Sequence, residues 1–237
     1  MASSREFTMR ETYHEKLDAI SQELVQMTVL VGSAISKATR ALLDADLQLA
    51  ESVIEGDETV DMMAADIDEQ CYELAALQQP VATDLRIVMT GIQISMSMER
   101  MGDLARHVAR QTRLRYPKSS VPQELRGTFA QMGAVAEAIV GLTGSIISTK
   151  DVSLAIDIER SDDLMDELHA SLFRRVLSES WPYGVEEAID VTLLSRFYER
   201  FADHAVTIAK RVIHIVTGEP YAAVSVVGPG VPDDGKD

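Results

Sequence analysis

Apolar side chains recur at steps of three and four residues over most of this chain. In the first such stretch, from Met9 to about Leu43, they are Leu17, Ile20, Leu24, Met27, Leu30, Val31, Ala34, Ile35, Ala38 and Leu42. This spacing puts them on one face of a single long amphipathic helix. Residues 1–8, which precede Met9, are interpreted as a remnant of cloning and are set aside from the fold.

The same spacing predicts six helices, at about 9–43, 46–77, 80–115, 122–149, 151–179 and 184–217. Asp46 has a side chain that can cap the second helix, and Pro80 falls in the first turn of the third, where an amide hydrogen is not needed. The 13 glycines, 7 prolines and 5% aromatic residues are too few for a β-sandwich or barrel of this length. We therefore predict an all-α fold.

The clearest break in the pattern is the segment 116–122, which contains two prolines and two adjacent serines. We predict a first three-helix unit over 9–116, a linker at 117–121 and a second three-helix unit over 122–218. The remaining residues, 219–237, are rich in Gly, Pro and Asp and lack a period, so we expect a disordered tail.

The two predicted units also share residues in register. Residues 46–61 align with 151–166 without a gap, and the pattern Glu-Arg-x-x-Asp occurs at both 99–103 and 199–203. A shared layout of three helices with matching residues is the mark of an internal repeat. The predicted architecture is therefore two pseudo-repeated three-helix bundles, with six long helices in all.

Charge excludes one class of function. Acidic residues exceed basic ones by 38 to 22, which gives a formal net charge of −16 and a field that repels nucleic acid and anionic lipid. The single Cys71 can form neither an intramolecular disulfide nor a cysteine-based zinc site. No signal-like leader or apolar run of about 18 residues is visible. We expect a cytoplasmic protein that does not bind nucleic acid.

The charges are unevenly distributed along the chain. Residues 41–85 contain twelve acidic side chains and no Lys or Arg, and this stretch is either a solvated face or a surface for a cation or a basic partner. Residues 100–118 contain six basic side chains opposed by Asp103 alone. These either complement the C-terminal end of a helix dipole or form a docking patch.

Several carboxylates fall on the apolar faces of the predicted helices. Glu99 and Asp103 are four residues apart, so they point the same way, and they continue the apolar stripe of Ile92 and Met96. The acidic pairs with this i, i+4 spacing at matching repeat positions are Asp57/Asp61, Glu99/Asp103, Asp162/Asp166 and Glu199/Asp203. Removing a carboxylate from water costs several kcal/mol unless a partner neutralises it.

Two kinds of neutralising partner are available. One is the arginine that follows each glutamate, Arg100 or Arg200, although adjacent helical residues point about 100° apart. The other is a metal ion, because ligand sets made only of oxygen suit hard cations such as Mg²⁺, Mn²⁺ or Fe. The residues by themselves leave both partners open.

These motifs together resemble those of the PhoU family over almost all of residues 9–218. The resemblance is carried by the duplicated three-helix layout, by Val-Ile-Glu-Gly-Asp-Glu-Thr-Val-Asp-Met-Met at 53–63, by Gln-Pro-Val-Ala-Thr-Asp-Leu-Arg-Ile-Val-Met at 79–89 and by the two Glu-Arg-x-x-Asp segments. The second segment departs from the family pattern, with Phe201 and Ala202 in place of the usual Ile and Gly.

The resemblance implies that the acidic motifs hold multinuclear metal clusters on the bundle surface, with Fe, Mn or Mg as the metal. The residues implied are Asp57, Asp61, Glu99, Asp103, Asp162, Asp166, Glu199 and Asp203. It further implies a protein that is not an enzyme and that represses phosphate uptake and phosphate-starvation genes. Its implied partners are the ATPase subunit of a phosphate transporter and a phosphate-sensing histidine kinase, with membrane contact only through those partners. A second copy of the chain is a further expected partner, because long amphipathic helices with large apolar stripes readily self-associate.

Two other function classes remain as alternatives. One is a redox or storage protein of the di-metal carboxylate type, and the other is a bundle that acts as a scaffold without metal. No Gly-rich phosphate loop, Gly-x-Ser-x-Gly motif or catalytic Cys/His pair is visible in the sequence, so phosphatase or kinase chemistry has no recognisable residues.

Overall fold

The computed structural model describes residues 2–77 and 82–219, with side chains from Tyr13 onward outside the segment 77–83. Its helices are α1 (Ala2–Asp44), α2 (Leu47–Leu77), α3 (Ala82–Arg115), α4 (Arg126–Thr149), α5 (Leu154–Val176) and α6 (Val185–Thr217), with a short 3₁₀ turn at Gln123–Leu125. These ranges contain no strand. The predicted all-α class with six long helices is confirmed.

Helix boundaries differ from the predicted ones mainly at α1, α4 and α5. α4 begins at Arg126 rather than at residue 122, because the 3₁₀ turn Gln123–Leu125 precedes it. The backbone of α1 is helical from Ala2, so most of the segment set aside from the fold continues the helix. α5 begins at Leu154 rather than at residue 151, because the Asp151 carboxylate accepts hydrogen bonds from the backbone and hydroxyl of Ser153, at 3.0 and 2.7 Å. Pro80 and the predicted tail from residue 220 lie outside the described residues.

The turn between the first and second helix is built alike in both halves. Ala45 and Lys150 adopt the left-handed conformation, with φ of 51° and 58°, and an aspartate follows each. The Asp46 carboxylate accepts a hydrogen bond from the Leu49 backbone at 3.0 Å, as expected of the predicted helix cap. The internal repeat thus extends from residue types to backbone geometry.

Each half is a bundle of three mutually contacting helices, and the halves meet through α1 against α4 and α3 against α6. α1 corresponds to α4 in the repeat and α3 to α6, so each half offers the same two helices to the other. The contact between the halves therefore resembles an isologous interface, in which both sides use the same surface, but here both sides belong to one chain. Buried side chains from all six helices form one continuous apolar core, with Met27, Ile35, Phe129, Tyr198 and Phe201 among its largest members.

Small residues allow α1 and α4 to approach closely. A Cβ added at Gly133 would lie 2.4 Å from Cγ2 of Thr39, and one added at Gly144 would lie 2.5 Å from the hydroxyl of Thr28. The Thr39 hydroxyl also shares a buried 2.8 Å hydrogen bond with the Tyr198 hydroxyl of α6. The contact between the halves is therefore both close-packed and polar at one point.

The other seam between the halves, α3 against α6, contains a buried ion pair. Asp190 is 3% exposed, and its carboxylate accepts hydrogen bonds from the Arg115 guanidinium at 2.6 and 2.8 Å and from the Gln111 amide at 2.6 Å. Such a charge-assisted bidentate pair fixes the relative orientation of two helices. Arg115, a member of the basic stretch 100–118, therefore stabilises the contact between the two halves.

The region Gln123–Thr149 is long and apolar enough to span a membrane by length and composition. Half of its most apolar window is buried inside the protein. α4 contacts α1, α5 and α6, which accounts for an apolar composition in a core helix of the bundle.

Candidate functional site

The acidic pairs singled out in the sequence lie on neighbouring helices. We call Asp57, Asp61, Glu99 and Asp103 the first acidic cluster, on α2 and α3, and Asp162, Asp166, Glu199 and Asp203 the second acidic cluster, on α5 and α6. Helices α2 and α3 pack against each other, as do α5 and α6. Asp57 is electrostatically coupled to Asp61 and Asp103. Asp162 is coupled to the other three members of its cluster.

The clusters differ in which carboxylate is buried. Asp57 is 5% exposed in the first cluster, whereas its counterpart Asp162 is only half-buried. In the second cluster the buried member is Glu199, at 9% exposure, whereas Glu99 is half-buried. Equivalent residues therefore sit at different depths in the two halves.

Arginine side chains pair with two of the four carboxylates of the first acidic cluster, Asp57 and Asp103. The Arg106 guanidinium donates to the carboxylates of both Asp57 and Asp103, bridging α2 and α3. Arg100 donates to the second oxygen of Asp103 at 2.9 Å. Burial raises the pKa of Asp57 to about 6, and the positive charges of Arg106 and Arg110 oppose that rise. At neutral pH Asp57 is therefore mainly ionised and ion-paired.

The second acidic cluster has much less internal neutralisation. Arg196, which is 52% exposed, donates to one oxygen of Glu199. The other oxygen of Glu199 and Oδ1 of Asp162 are buried and have no hydrogen-bond partner among the described residues. Burial, reinforced by the neighbouring carboxylates, raises the pKa of Asp162 to about 7 and also raises the pKa of Glu199.

One difference in sequence between the repeats explains why the first cluster has more internal ion pairs than the second. The residue three positions after Asp103 is Arg106, whereas the residue three positions after Asp203 is Val206. Val206 is half-buried and packs against the core. The first cluster therefore contains a guanidinium at the position where the second cluster has an aliphatic side chain.

Internal pairing, one of the two alternatives that the sequence left open, occurs in the structure with partners other than the adjacent glutamates. Arg100 does form an ion pair, with Asp103 rather than with the adjacent Glu99. Arg106 and Arg196, which sequence reasoning overlooked, bind carboxylates three residues away on their own helices. The i, i+3 spacing was visible in the sequence and is a known arrangement for helical ion pairs. The contact from Arg106 to Asp57 on another helix carried no such local signal.

The two Glu-Arg-x-x-Asp segments approach each other across the α3–α6 seam. His107 of α3 stacks on Phe197 of α6 with ring centroids 5.2 Å apart, and it is electrostatically coupled to Arg200. His204 of α6 is coupled to Arg100 in the same way. Burial lowers the pKa of both imidazoles, so both are neutral at physiological pH. The acidic clusters thus flank a shared seam.

The donor atoms of both clusters are carboxylate oxygens, which suit a hard cation. Within the described residues, no three His, Cys, Asp or Glu side chains are arranged to hold a metal ion together. In the second cluster the unpartnered oxygens of Asp162 and Glu199 nevertheless fit a cation that retains part of its water shell. In the first cluster the Arg106 guanidinium already contacts both Asp57 and Asp103. Metal binding by the eight predicted residues stays a prediction.

Comparison with known protein families identifies the chain. The model described as "PhoU domain" matches it twice, over residues 24–112 and 129–212. A protein of Mycobacterium bovis named "Phosphate-specific transport system accessory protein PhoU homolog 2" is 47% identical over 210 residues, which is 89% of this chain and 99% of that protein. A PhoU homolog of Aquifex aeolicus with the corresponding name is 34% identical over 86% of this chain and 93% of its own length.

Solved structures agree with the sequence comparison. The crystal structure of PhoU from Pseudomonas aeruginosa superposes with a TM-score of 0.81 at 28% identity, covering 87% of this chain and all of that one. The crystal structure of the phosphate transport system regulatory protein PhoU from Streptococcus pneumoniae gives 0.79 at 25% identity, covering 87% and 98% of the two chains. The chain belongs to the PhoU family.

Proposed function

We propose that this PhoU-family chain is a non-enzymatic negative regulator of phosphate uptake and of the phosphate-starvation response. The observation that carries the proposal is the 47% identity, over nearly the whole length, to a protein named as an accessory of the phosphate-specific transport system. An accessory role requires surfaces for partners rather than a catalytic pocket. The regulatory name of the Streptococcus pneumoniae relative supports the same role.

The proposed partners are the ATPase subunit of the phosphate transporter and a phosphate-sensing histidine kinase, which the chain would couple from the cytoplasm. The surface of the second half supports docking to another protein. A groove of about 480 Å³ lies beside the start of α6 and is lined mainly by apolar side chains, including Trp181. Val185, Ile189 and Leu193 at its edge are 77%, 51% and 44% exposed. Apolar patches of this kind mark contacts with proteins.

A second copy of the chain is a further proposed partner. The first half carries exposed apolar residues at Leu85 and Met89, 100 positions before Val185 and Ile189. Each chain therefore presents two related apolar surfaces, as expected of a protein that both dimerises and binds another partner.

Cations at the acidic clusters form the remaining part of the proposal. A bound hard cation would neutralise carboxylates and hold neighbouring helices together. For the second cluster the residues concerned are Asp162, Asp166, Glu199 and Asp203. The alternative of a di-metal redox or storage protein gains no support, because the described residues contain no three-donor group of the kind that such proteins use.

The test is the expression of a phosphate-starvation reporter in phosphate-replete medium. A strain that lacks this gene, and any redundant copy, is complemented with the wild-type chain, with Glu99→Ala/Asp103→Ala or with Glu199→Ala/Asp203→Ala. The matched control is Glu51→Ala/Glu55→Ala, an exposed i, i+4 acidic pair on α2 outside the clusters. We expect the empty strain to express the reporter, and the wild-type and control chains to silence it.

Loss of silencing by a cluster variant that still folds would show that its carboxylates take part in signalling. Silencing by both cluster variants would contradict a signalling role for the acidic pairs. A reporter that stays silent in the strain without the gene would refute the regulatory function itself.

A further inference from the structure

The basic stretch 100–118 has no part in the proposed function, and the structure divides its side chains into two sets. Three of them form ion pairs within the fold, namely Arg100, Arg106 and Arg115. Arg110 and Arg113 are exposed, and neither forms an ion pair within the described part of the chain. Arg113 lies in the last turn of α3, where a cation complements the helix dipole, but Arg110 lies more than a turn from that end. The helix dipole therefore explains only part of the basic stretch.

A groove of about 550 Å³ lies beside these two arginines, between α3 and α6. Its lining residues are His107, Arg110, Gln111, Arg113, Leu114 and Phe197. Phe197 stacks on the neutral imidazole of His107, and Leu114 is 68% exposed, so the groove has an apolar wall. Arg200 of α6, which is electrostatically coupled to His107, adds a further positive charge nearby. Guanidinium groups and an apolar wall therefore meet in one groove.

We propose that this groove binds a small organic phosphate of the nucleotide class. Its phosphate groups pair with the guanidinium groups of Arg110 and Arg113, whose planar, always charged geometry matches phosphate oxygens. Its ring lies against Phe197 and Leu114 and removes their apolar surface from water. The inference goes beyond the proposed function, and it depends neither on the regulatory role nor on a metal ion.

The size of the groove and the charge around it select this class of ligand. Its volume lies in the range of small-molecule sites, whereas a single inorganic phosphate would leave most of it, and the apolar wall, filled with water. A nucleic acid would extend past the arginines into the field of a chain with net charge −16. A small anion is affected mainly by the nearby arginines, because charges beyond about 8 Å are largely screened at physiological salt.

The internal repeat shows that the groove does not follow from the fold alone. The repeat positions equivalent to Arg113 and Phe197 hold Ile213 and Ser97, and both of these side chains are buried. The equivalent place on the seam therefore lacks counterparts of one guanidinium group and of the aromatic ring. The combination of cations and an apolar wall is specific to one of the two related places.

The experiment titrates the full-length chain with mant-ADP, a fluorescent nucleoside diphosphate, in the presence of EDTA. EDTA removes divalent cations, so a metal ion at the acidic clusters cannot contribute to binding. We expect saturable binding of mant-ADP that unlabelled ADP displaces and that weakens as the salt concentration rises. Inorganic phosphate at the same concentration should displace much less, because it makes no contact with the apolar wall.

Three variants test the residues. Arg110→Ala/Arg113→Ala removes both guanidinium groups and should weaken binding by at least about tenfold. The matched control is Arg174→Ala/Arg175→Ala, which removes the same charge from exposed positions on α5 and should change the affinity by less than about twofold. Leu114→Ala should weaken binding by about threefold. All five side chains are exposed, so we expect each variant to fold, and circular dichroism checks the helical content.

The proposal is overturned if mant-ADP shows no saturable binding, or if ADP fails to displace it. Equal weakening by the two double variants would also overturn it, since binding would then follow overall charge rather than the groove. Displacement by inorganic phosphate, or by a polyglutamate peptide, as effective as that by ADP would contradict the assignment to an organic phosphate. These measurements use purified protein, so their outcome is separate from that of the reporter assay.

Discussion

The first and second acidic clusters show how a repeated motif can diverge in its physical state. Both halves place four carboxylates between the second and third helices of a bundle, at the same repeat positions. In the first cluster, Arg106 and Arg100 form ion pairs with Asp103, and Arg106 also forms one with Asp57. In the second, Arg196 contacts Glu199 and two buried oxygens lack partners among the described residues. The same motif therefore gives ion-paired aspartates in one half and, in the other, buried carboxylate oxygens without a partner among the described residues.

The largest expected effect comes from removing the internal cation of the first cluster. Arg106→Met leaves Asp57 buried without its ion pair, and we expect a loss of about 3 kcal/mol in the free energy of unfolding at pH 8. At pH 5 the loss should be smaller, because burial raises the pKa of Asp57 to about 6 and the carboxyl can then take up a proton. Urea denaturation at the two pH values measures both quantities.

The matched change in the second half is Arg196→Met, which installs the residue that the first half has at position 96. Arg196 is 52% exposed, so solvent already screens its charge, and we expect a loss below about 1 kcal/mol. Equal losses for Arg106→Met and Arg196→Met would contradict the difference drawn between the clusters.

In the absence of metal, removing the charge of Asp162 in the second cluster should raise the free energy of unfolding, by less than Arg106→Met lowers it. The pKa of Asp162 is raised from 3.8 to about 7, so the folded chain holds this proton more tightly than the unfolded chain does. Its contribution to stability therefore falls as the pH rises from about 4 to about 7, and it stays constant at higher pH. Asp162→Asn removes that loss and should stabilise the protein by about 1 kcal/mol at pH 8 in EDTA. The gain should shrink toward zero near pH 4.

Two comparison variants make this result specific. Asp163→Asn changes an exposed neighbour whose charge adds to the raised pKa of Asp162, so it should give a gain of the same sign but much smaller than that of Asp162→Asn. Asp57→Asn should give a smaller gain than Asp162→Asn, because it also loses a charge-assisted hydrogen bond from Arg106. Destabilisation by Asp162→Asn at pH 8 would mean that its carboxylate is already paired.

Periodicity was sufficient to predict most of the fold and only part of the site. Six helices, the Asp46 cap and the pairing of acidic motifs follow from spacing alone, because each is a local property of a helix. The spacing does not predict which carboxylate is buried, because the low exposure of Asp57 and Glu199 depends on how the packed helices are rotated relative to each other. The buried Asp190 of the α3–α6 seam was missed for the same reason, as its partners lie more than 70 residues away.

The smallest expected effect concerns how closely α2 and α3 approach at the first cluster. The second half has Ala202 where the first has Gly102, and a Cβ at Gly102 would lie 3.2 Å from Oδ1 of Asp57 and 3.3 Å from Cγ1 of Val60. Replacing a helical glycine by alanine normally gains about 0.5–1 kcal/mol. We expect Gly102→Ala to lose about 0.5 kcal/mol instead, because neighbouring groups resist displacement in a packed interior.

The control for that substitution is Gly56→Ala, on the helix that faces Gly102, where an added Cβ meets nothing within 4 Å and the normal gain should appear. The double variant Gly102→Ala/Arg106→Met shows which neighbour opposes the added Cβ, the Asp57 carboxylate or the Val60 side chain. If Arg106 fixes the Asp57 carboxylate, its removal lets that carboxylate move away, and part of the alanine gain should return as a coupling energy of about 0.5 kcal/mol. Strict additivity of the two changes in urea denaturation would instead assign the resistance to the buried, β-branched Val60 and remove Arg106 from the explanation.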